Sequence, residues 1–263
     1  MIHAVNATGL RYSQYKRFCD SANFGLIPEG MFENQHELYC LKTEELTRES
    51  IAEAINEEVA TEVLKSENTD TQFNGINILT DARHGWRRNA AQSDVIAIGQ
   101  NHHRVVGLAV VTRADDHVSQ RHEIKGVQKL YEHFEEHDVS VNIHGHDRNA
   151  SVNKYLATNQ PTVTNANDTW HASKGVNKEM KKIANGPKKL MGITWHPDLS
   201  DKIASIKTHT YYAMKKCQGS PEKLRELLDN IVEHYKDRHE GCSAESRCKT
   251  DPNYEPSKQL IKD

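Results

Sequence analysis

Gly75-Ile-Asn-Ile-Leu-Thr-Asp81 and Val139-Ser-Val-Asn-Ile-His-Gly-His-Asp147 are two apolar, β-branched runs, and each ends in an aspartate. Both read as strands. Between them, Val95 to Ile98 and Val105 to Val111 read as two further strands joined by polar turns, as in an antiparallel meander. A helix follows, because Ile124, Val127, Leu130, Tyr131 and Phe134 mark one face at helical spacing, and it opens near a third carboxylate, Glu123. The order is β-β-β-α-β, a unit that can gather Asp81, Glu123 and Asp147 at one edge of a sheet. Carboxylates brought together in this way are hard oxygen donors suited to Mg2+ or Mn2+, and two such ions ~3.5–4 Å apart serve phosphodiester chemistry. Aspartates also cap helices and begin turns, so each acid alone has an ordinary structural reading as well.

Outward from this core the chain becomes helical. Ile51, Ile55, Val59 and Val63 recur every four residues behind Ser50-x-x-Glu53, a capping-box pattern, which predicts an amphipathic helix from about Ile51 to Leu64. Shorter helices are expected around Leu10 to Phe18 and Met31 to Leu41. The polar stretch Ser66-Glu-Asn-Thr-Asp-Thr-Gln72 reads as a boundary. Downstream, Ser151 to Leu156 predicts a short helix and Pro161 to Ala166 a weak fifth strand. Helices are expected at Met180 to Ile183, from Leu199 to Met214, and over Leu224 to Tyr235, the last started by Ser220-Pro221. The expected division is a helical N-terminal segment over 1–70, an α/β core over 71–185, and a helical region over 186–263.

With 263 residues the chain can bury a sizeable core. Its mean hydropathy of -0.78 and lack of an apolar run near the ~20 residues of a membrane helix predict a soluble protein with no membrane partner. Met1-Ile-His-Ala-Val lacks the basic and apolar regions of a signal peptide, which argues against secretion. Five scattered cysteines suit a reducing compartment, so nucleus or cytosol is expected. A net charge of -3 excludes a globally basic protein, yet cations cluster. Lys174, Lys178, Lys181, Lys182, Lys188 and Lys189 fall together, and Arg83, Arg87 and Arg88 follow Asp81. Both groups adjoin the acids, as a phosphate backbone requires, although the lysine run also reads as a solvated helix face.

The residues around the acids carry a resemblance. Asp81-Ala-Arg-His-Gly, His122-Glu-Ile-Lys-Gly126, His146-Asp-Arg-Asn149 and Asp168-Thr-Trp-His-Ala-Ser-Lys174 occur in the order seen in DDE-type transposases. They resemble most closely a transposon-derived group of animal proteins, and hAT transposases carry a similar Cys/Asp-x-x-His step. The resemblance runs from about Tyr12 to Cys248. It implies an α/β, ribonuclease H-like mixed sheet with a helical N-terminal segment and a C-terminal helical insertion. Asp81 and Asp147 become the first two catalytic acids, Asp168 and His171 a supporting pair, and DNA the partner, with a homo-oligomer as a further expectation. Trp170 is expected to pack in the core. Ala82 and Gly145-His146 depart from the family pattern, and no final glutamate is found before Asp263. The chain is therefore expected to be a fragment or to have lost an acid, and a non-catalytic DNA-binding or assembly protein is the alternative.

A second constellation is His234-x4-His239-x2-Cys242-x5-Cys248, whose two imidazoles and two thiolates suit a closed, structural Zn2+ site, against a reading as ordinary exposed residues. His133-Phe-Glu-Glu-His137 matches an H-x-x-E-H pattern but lies in a charged helix end. His144-Gly-His146-Asp147 matches only part of a metallo-hydrolase signature. No Gly-rich phosphate loop, Gly-x-Ser-x-Gly elbow or Cys-x-x-Cys pair is present, which sets nucleotide hydrolases, serine hydrolases and thioredoxin-like proteins aside.

Overall fold

Ile76, Ile78 and Thr80 are buried while Leu79 and Asp81 are exposed, so the first strand is an alternating one with a single packed face. The computed structural model describes residues 2–85, 91–185, 196–255 and 261. In it the first strand, β1 (Ile76–His84), pairs antiparallel with β2 (Gln92–Gly99), which pairs antiparallel with β3 (Val105–Thr112). With β4 (Val141–His146) and β5 (Thr164–Asn167) they form a five-stranded sheet of order β3-β2-β1-β4-β5. The protein is thus mixed α/β, with parallel and antiparallel strands and a helical N-terminus. Among the described residues, no helix is long and apolar enough to cross a membrane. The chain divides into two compact units, Met1–Ile143 and His144–Asp263.

In the first unit, α1 (Ile2–Ala7), α2 (Tyr12–Ala22) and the long α3 (Glu29–Thr69) come first. Val5, Tyr15, Cys19 and Phe32 make a small core of their own, with the Tyr15 and Phe32 rings stacked at 5.5 Å. The helix expected to begin at Ser50 instead runs unbroken from Glu29. Nothing between Leu41 and Ser50 is a glycine or proline, and the Thr43 and Thr47 hydroxyls return their hydrogen bonds to carbonyls one turn back, Tyr39 O and Thr43 O. The helix ends where Asp70 turns left-handed at φ 52°.

The C-terminal half of α3 is fastened to the β2–β3 turn by a buried acid. Glu58 is fully buried, and its carboxylate accepts from the backbone N–H of His102 at 2.7 Å, the N–H of Asn101 at 3.1 Å and the Asn101 side-chain amide at 2.7 Å. These donors replace lost water, which is what a buried carboxylate needs. Arg104 adds a 2.7 Å bridge to Glu57.

The helix expected after β3 is α4 (His122–Glu136), and it buries Val127, Leu130 and Phe134 against the sheet. It comes unusually close. A Cβ on Gly126 would lie 2.6 Å from Val95 Cβ, and one on Gly107 would lie 2.7 Å from Leu130 Cδ2, so each side of the interface has given up a side chain.

In the second unit, α5 (Ala150–Asn159) starts under an Asn149 cap whose Oδ1 accepts from Ser151 N at 2.8 Å. After β5, α6 (Thr169–Asn185) is longer than the stretch expected at Met180, and it packs through Ser173 and Ala184 with α7 (Ile203–Lys216) against it. The helix expected over Leu224 to Tyr235 is divided at Asn230 into α8 (Pro221–Asp229) and α9 (Ile231–Tyr235). Ser220 caps α8 by accepting from Lys223 N at 3.1 Å. A last short helix is α10 (Arg247–Thr250).

Candidate functional site

Asp81 stands three residues short of the end of β1, because Arg83 and His84 continue the pairing opposite Asp94 and Ser93. It faces Ile96 across the strands, while the neighbouring Ala82 faces Val95, the residue that meets α4. Opposed residues share a face, so Asp81 projects from the side of the sheet away from α4. Its side chain is exposed, and its Oδ1 accepts from Ala82 N at 2.8 Å. Glu123 lies in the first turn of α4, half-buried, and the structure does not put it on the face that Asp81 uses. Arg83 is exposed on β1; Arg87 and Arg88 lie outside the described residues, as do Lys188 and Lys189.

Beside Glu123 is a feature that sequence reasoning missed. His122 is fully buried, with Nε2 2.8 Å from the Asp116 carbonyl and Nδ1 3.0 Å from Ser93 Oγ, which is itself 2.9 Å from His84 Nδ1. A carbonyl only accepts, so His122 Nε2 donates to it. His122 Nδ1 then accepts from the Ser93 hydroxyl, and Ser93 accepts from His84. The chain of bonds ties β1, β2 and the start of α4 together. Its two histidines were visible in the Asp81 and Glu123 motifs, but the serine between them was not.

In the second unit, Asp147 directly follows β4 and is exposed, with no hydrogen-bond partner among the described residues. Its neighbours are pinned. His146 is buried, its Nδ1 accepting from Asn149 N at 3.3 Å and its Nε2 3.0 Å from Asn165 Oδ1 on β5. Asn149 caps α5, and Arg148 between them takes a left-handed φ of 67°. The loop is therefore fixed on both sides while the Asp147 carboxylate faces solvent.

Asp168 and His171 arrive at the same edge. Asp168 N donates to the His146 carbonyl at 2.8 Å, which joins the start of α6 to the residue before Asp147. Its Oδ1 accepts from Trp170 N at 2.8 Å and its Oδ2 is 2.7 Å from His171 Nδ1. Asp147, Asp168 and His171 are thus brought into one neighbourhood.

Trp170, expected in the core, is 48% exposed. The packed face of α6 is the one carrying Ser173 and Ala184, which leaves the indole outside with Lys174 Nζ 3.7 Å from its ring centroid. Lys174, Lys178, Lys181 and Lys182 are all exposed, and with Asn177 and Asn185 they line a shallow groove of about 530 Å³. Lys182 also bridges Glu179 at 2.6 Å. Spaced at i, i+4, i+7 and i+8, the lysines make one basic helix face.

The histidine and cysteine constellation is gathered as well. One donor atom from each of His234, His239, Cys242 and Cys248 lies within 4.8 Å of the others, all four residues being half-buried.

In the second unit an exposed acid at the end of β4 and a basic helix face on α6 are on one body, and the class to which the chain is assigned by its family is that of the transposases. The family model for Mutator-like transposases matches residues 1–248, and the chain belongs to that family. Mutator is a different transposase family from hAT, whose Asp-x-x-His step the sequence resembles. Comparison with curated proteins gives no match.

Proposed function

We propose that the chain cleaves DNA phosphodiester bonds and transfers the freed strand, with Asp81 and Asp147 as the acids that hold Mg2+ or Mn2+; Glu123, on α4 and not on the face that Asp81 uses, is a third candidate only if it reaches the ion from the helix start. Membership of the Mutator-like family carries this reading. The donors suit the ion: both carboxylates are exposed oxygen ligands, and Asp147 is uncommitted among the described residues. Bound there, the cation would neutralise charge developing on the phosphate and make an attacking water more acidic.

The other roles fall to side chains. Asp168 orients the His171 imidazole and holds the start of α6 against the end of β4. The lysine face of α6 attracts the phosphate backbone, and the exposed Trp170 ring beside it offers a surface on which an unstacked base can lie. That face equally suits a DNA-binding or assembly protein without the chemistry, which is the second reading.

Nicking of supercoiled plasmid with Mn2+ separates the two, with DNA affinity measured alongside. Cleavage by the unaltered chain, lost in Asp81→Ala and Asp147→Ala with affinity retained, is the expected result. Loss in Glu123→Gln as well would make Glu123 the third ligand. Tight binding without cleavage would favour the second reading, and cleavage undiminished by both alanine variants would remove these acids from the site.

A further inference from the structure

Three of the four histidine and cysteine donor atoms form a closed triangle. His234 Nδ1 is 3.2 Å from His239 Nδ1, and Cys242 Sγ is 3.3 Å from the first and 3.7 Å from the second. Hydrogen bonds do not account for this arrangement. A donor prefers an angle above ~150° at its hydrogen, and a triangle of mutually adjacent atoms forces far smaller angles on at least part of the set. A central ion does account for it. With Zn–N of ~2.0–2.1 Å and Zn–S of ~2.3 Å, a tetrahedron has edges of roughly 3.3 Å between nitrogens and roughly 3.6 Å between nitrogen and sulfur. Cys248 supplies the fourth corner, within 4.8 Å of the rest.

The surroundings are those of a ligand set. His239 presents its other ring nitrogen, Nε2, to Asp237 Oδ1 at 2.7 Å, the carboxylate–imidazole arrangement that directs Nδ1 toward a metal. Asn230, where α8 gives way to α9, donates its amide to Cys242 Sγ at 3.3 Å, a bond that favours the thiolate. The segment also needs a fastening. No residue of 236–255 is buried, and its regular structure is confined to the four residues of α10. Its remaining ties include Lys216 to Glu245 at 2.8 Å and Tyr212 to Ser246 at 3.4 Å, exposed or weak interactions worth little individually.

We propose that His234, His239, Cys242 and Cys248 bind one zinc ion that anchors the segment after α9 to the helices α7 to α9. All four positions are filled by protein, so the ion is structural and has no open site for chemistry. Zinc binding here is independent of whether the chain cleaves DNA.

The test uses the full chain, purified without added chelator and dialysed against metal-free buffer, with metal content read by mass spectrometry. The unaltered chain and Cys40→Ser are expected to carry one zinc each, and Cys242→Ser and Cys248→Ser none. Should those two variants fold poorly, the unaltered chain reports alone: stripping zinc and adding Co2+ is expected to give the visible absorption of tetrahedral cobalt with thiolate ligands. Asp237→Asn, which keeps all four ligands, is expected to weaken zinc affinity by roughly 10- to 100-fold. Zinc content equal in Cys242→Ser, Cys248→Ser and Cys40→Ser, or an unaltered chain that neither carries zinc nor takes up cobalt, overturns the proposal.

Discussion

Gly126→Ala tests how α4 is seated, and its cost follows from one close approach. The added methyl would stand 2.6 Å from Val95 Cβ and closer still to Cγ2, where carbon atoms rest at about 3.5–4.0 Å. Val95 cannot yield, since it is fully buried on β2 between the paired residues Ala82 and Ala109. The helix must retreat by about 1 Å, loosening Val127, Leu130 and Phe134, and overpacking of this kind costs about 1–3 kcal/mol. Alanine returns about 1 kcal/mol through its better helix propensity, leaving a net loss of about 1–2 kcal/mol. Val95→Ala alone removes two buried methyl groups and is expected to cost about 2 kcal/mol. It also vacates the space that the new methyl needs, so the double variant should be no less stable than Val95→Ala by itself. Urea unfolding followed by circular dichroism gives all four stabilities. A double variant destabilised by the sum of the single effects would show that Val95 does not set the seat of α4.

Two further predictions concern charge. Lys181→Glu with Lys182→Glu should weaken duplex DNA binding and lower the slope of log affinity against log salt by roughly 0.9 for each phosphate no longer neutralised, measured by fluorescence anisotropy across a salt series; an unchanged slope would return the α6 lysines to a solvated face. His144 is fully buried, and burial, followed by the neighbouring His146, pushes its pKa down to about 3. An unfolded chain protonates this side chain near 6.5, so between pH 6.5 and 3 the unfolded state holds the extra proton. The stability from keeping His144 neutral is therefore complete above pH 6.5 and lost as pH falls toward 3, by an amount on the order of 4 kcal/mol. Acid titration of thermal stability should show this decline, and His144→Leu should flatten it.

The strands were legible because a two-residue period needs only one packed face, and Ile76, Ile78 and Thr80 declare it. The end of β1 was not. Arg83 and His84 are too polar to signal a strand, and they extend it only because Asp94 and Ser93 lie opposite. Ser50 and Glu53 imitate a helix start, but a capping pattern marks a terminus only where the preceding chain can stop being helical, and Leu41 to Ser50 cannot. Glu58 looks like any acid on a helix until the β2–β3 turn supplies its donors. Trp170, expected in the core, lies outside for a related reason: α6 packs through Ser173 and Ala184, the small residues that let another helix approach. The residue types of the His234 to Cys248 set suggest ligands while their irregular spacing does not, and only the fold shows that the four donor atoms come within 4.8 Å of one another.

Among the acids of the second unit, partner geometry decides which is available to an ion. Both oxygens of Asp168 are occupied, one by the Trp170 N–H and one by His171, and its backbone N–H is given to His146. Taking Asp168 for a cation would free the first turn of α6 and release the imidazole, so its substitution is expected to disturb structure together with activity. Asp147 carries no such duties. The polar groups that fix its loop belong to His146 and Asn149, and the left-handed Arg148 turns the chain between them. Replacing the Asp147 carboxylate therefore breaks no described hydrogen bond, and a loss of cleavage in Asp147→Ala can be assigned to the missing ligand rather than to a damaged loop.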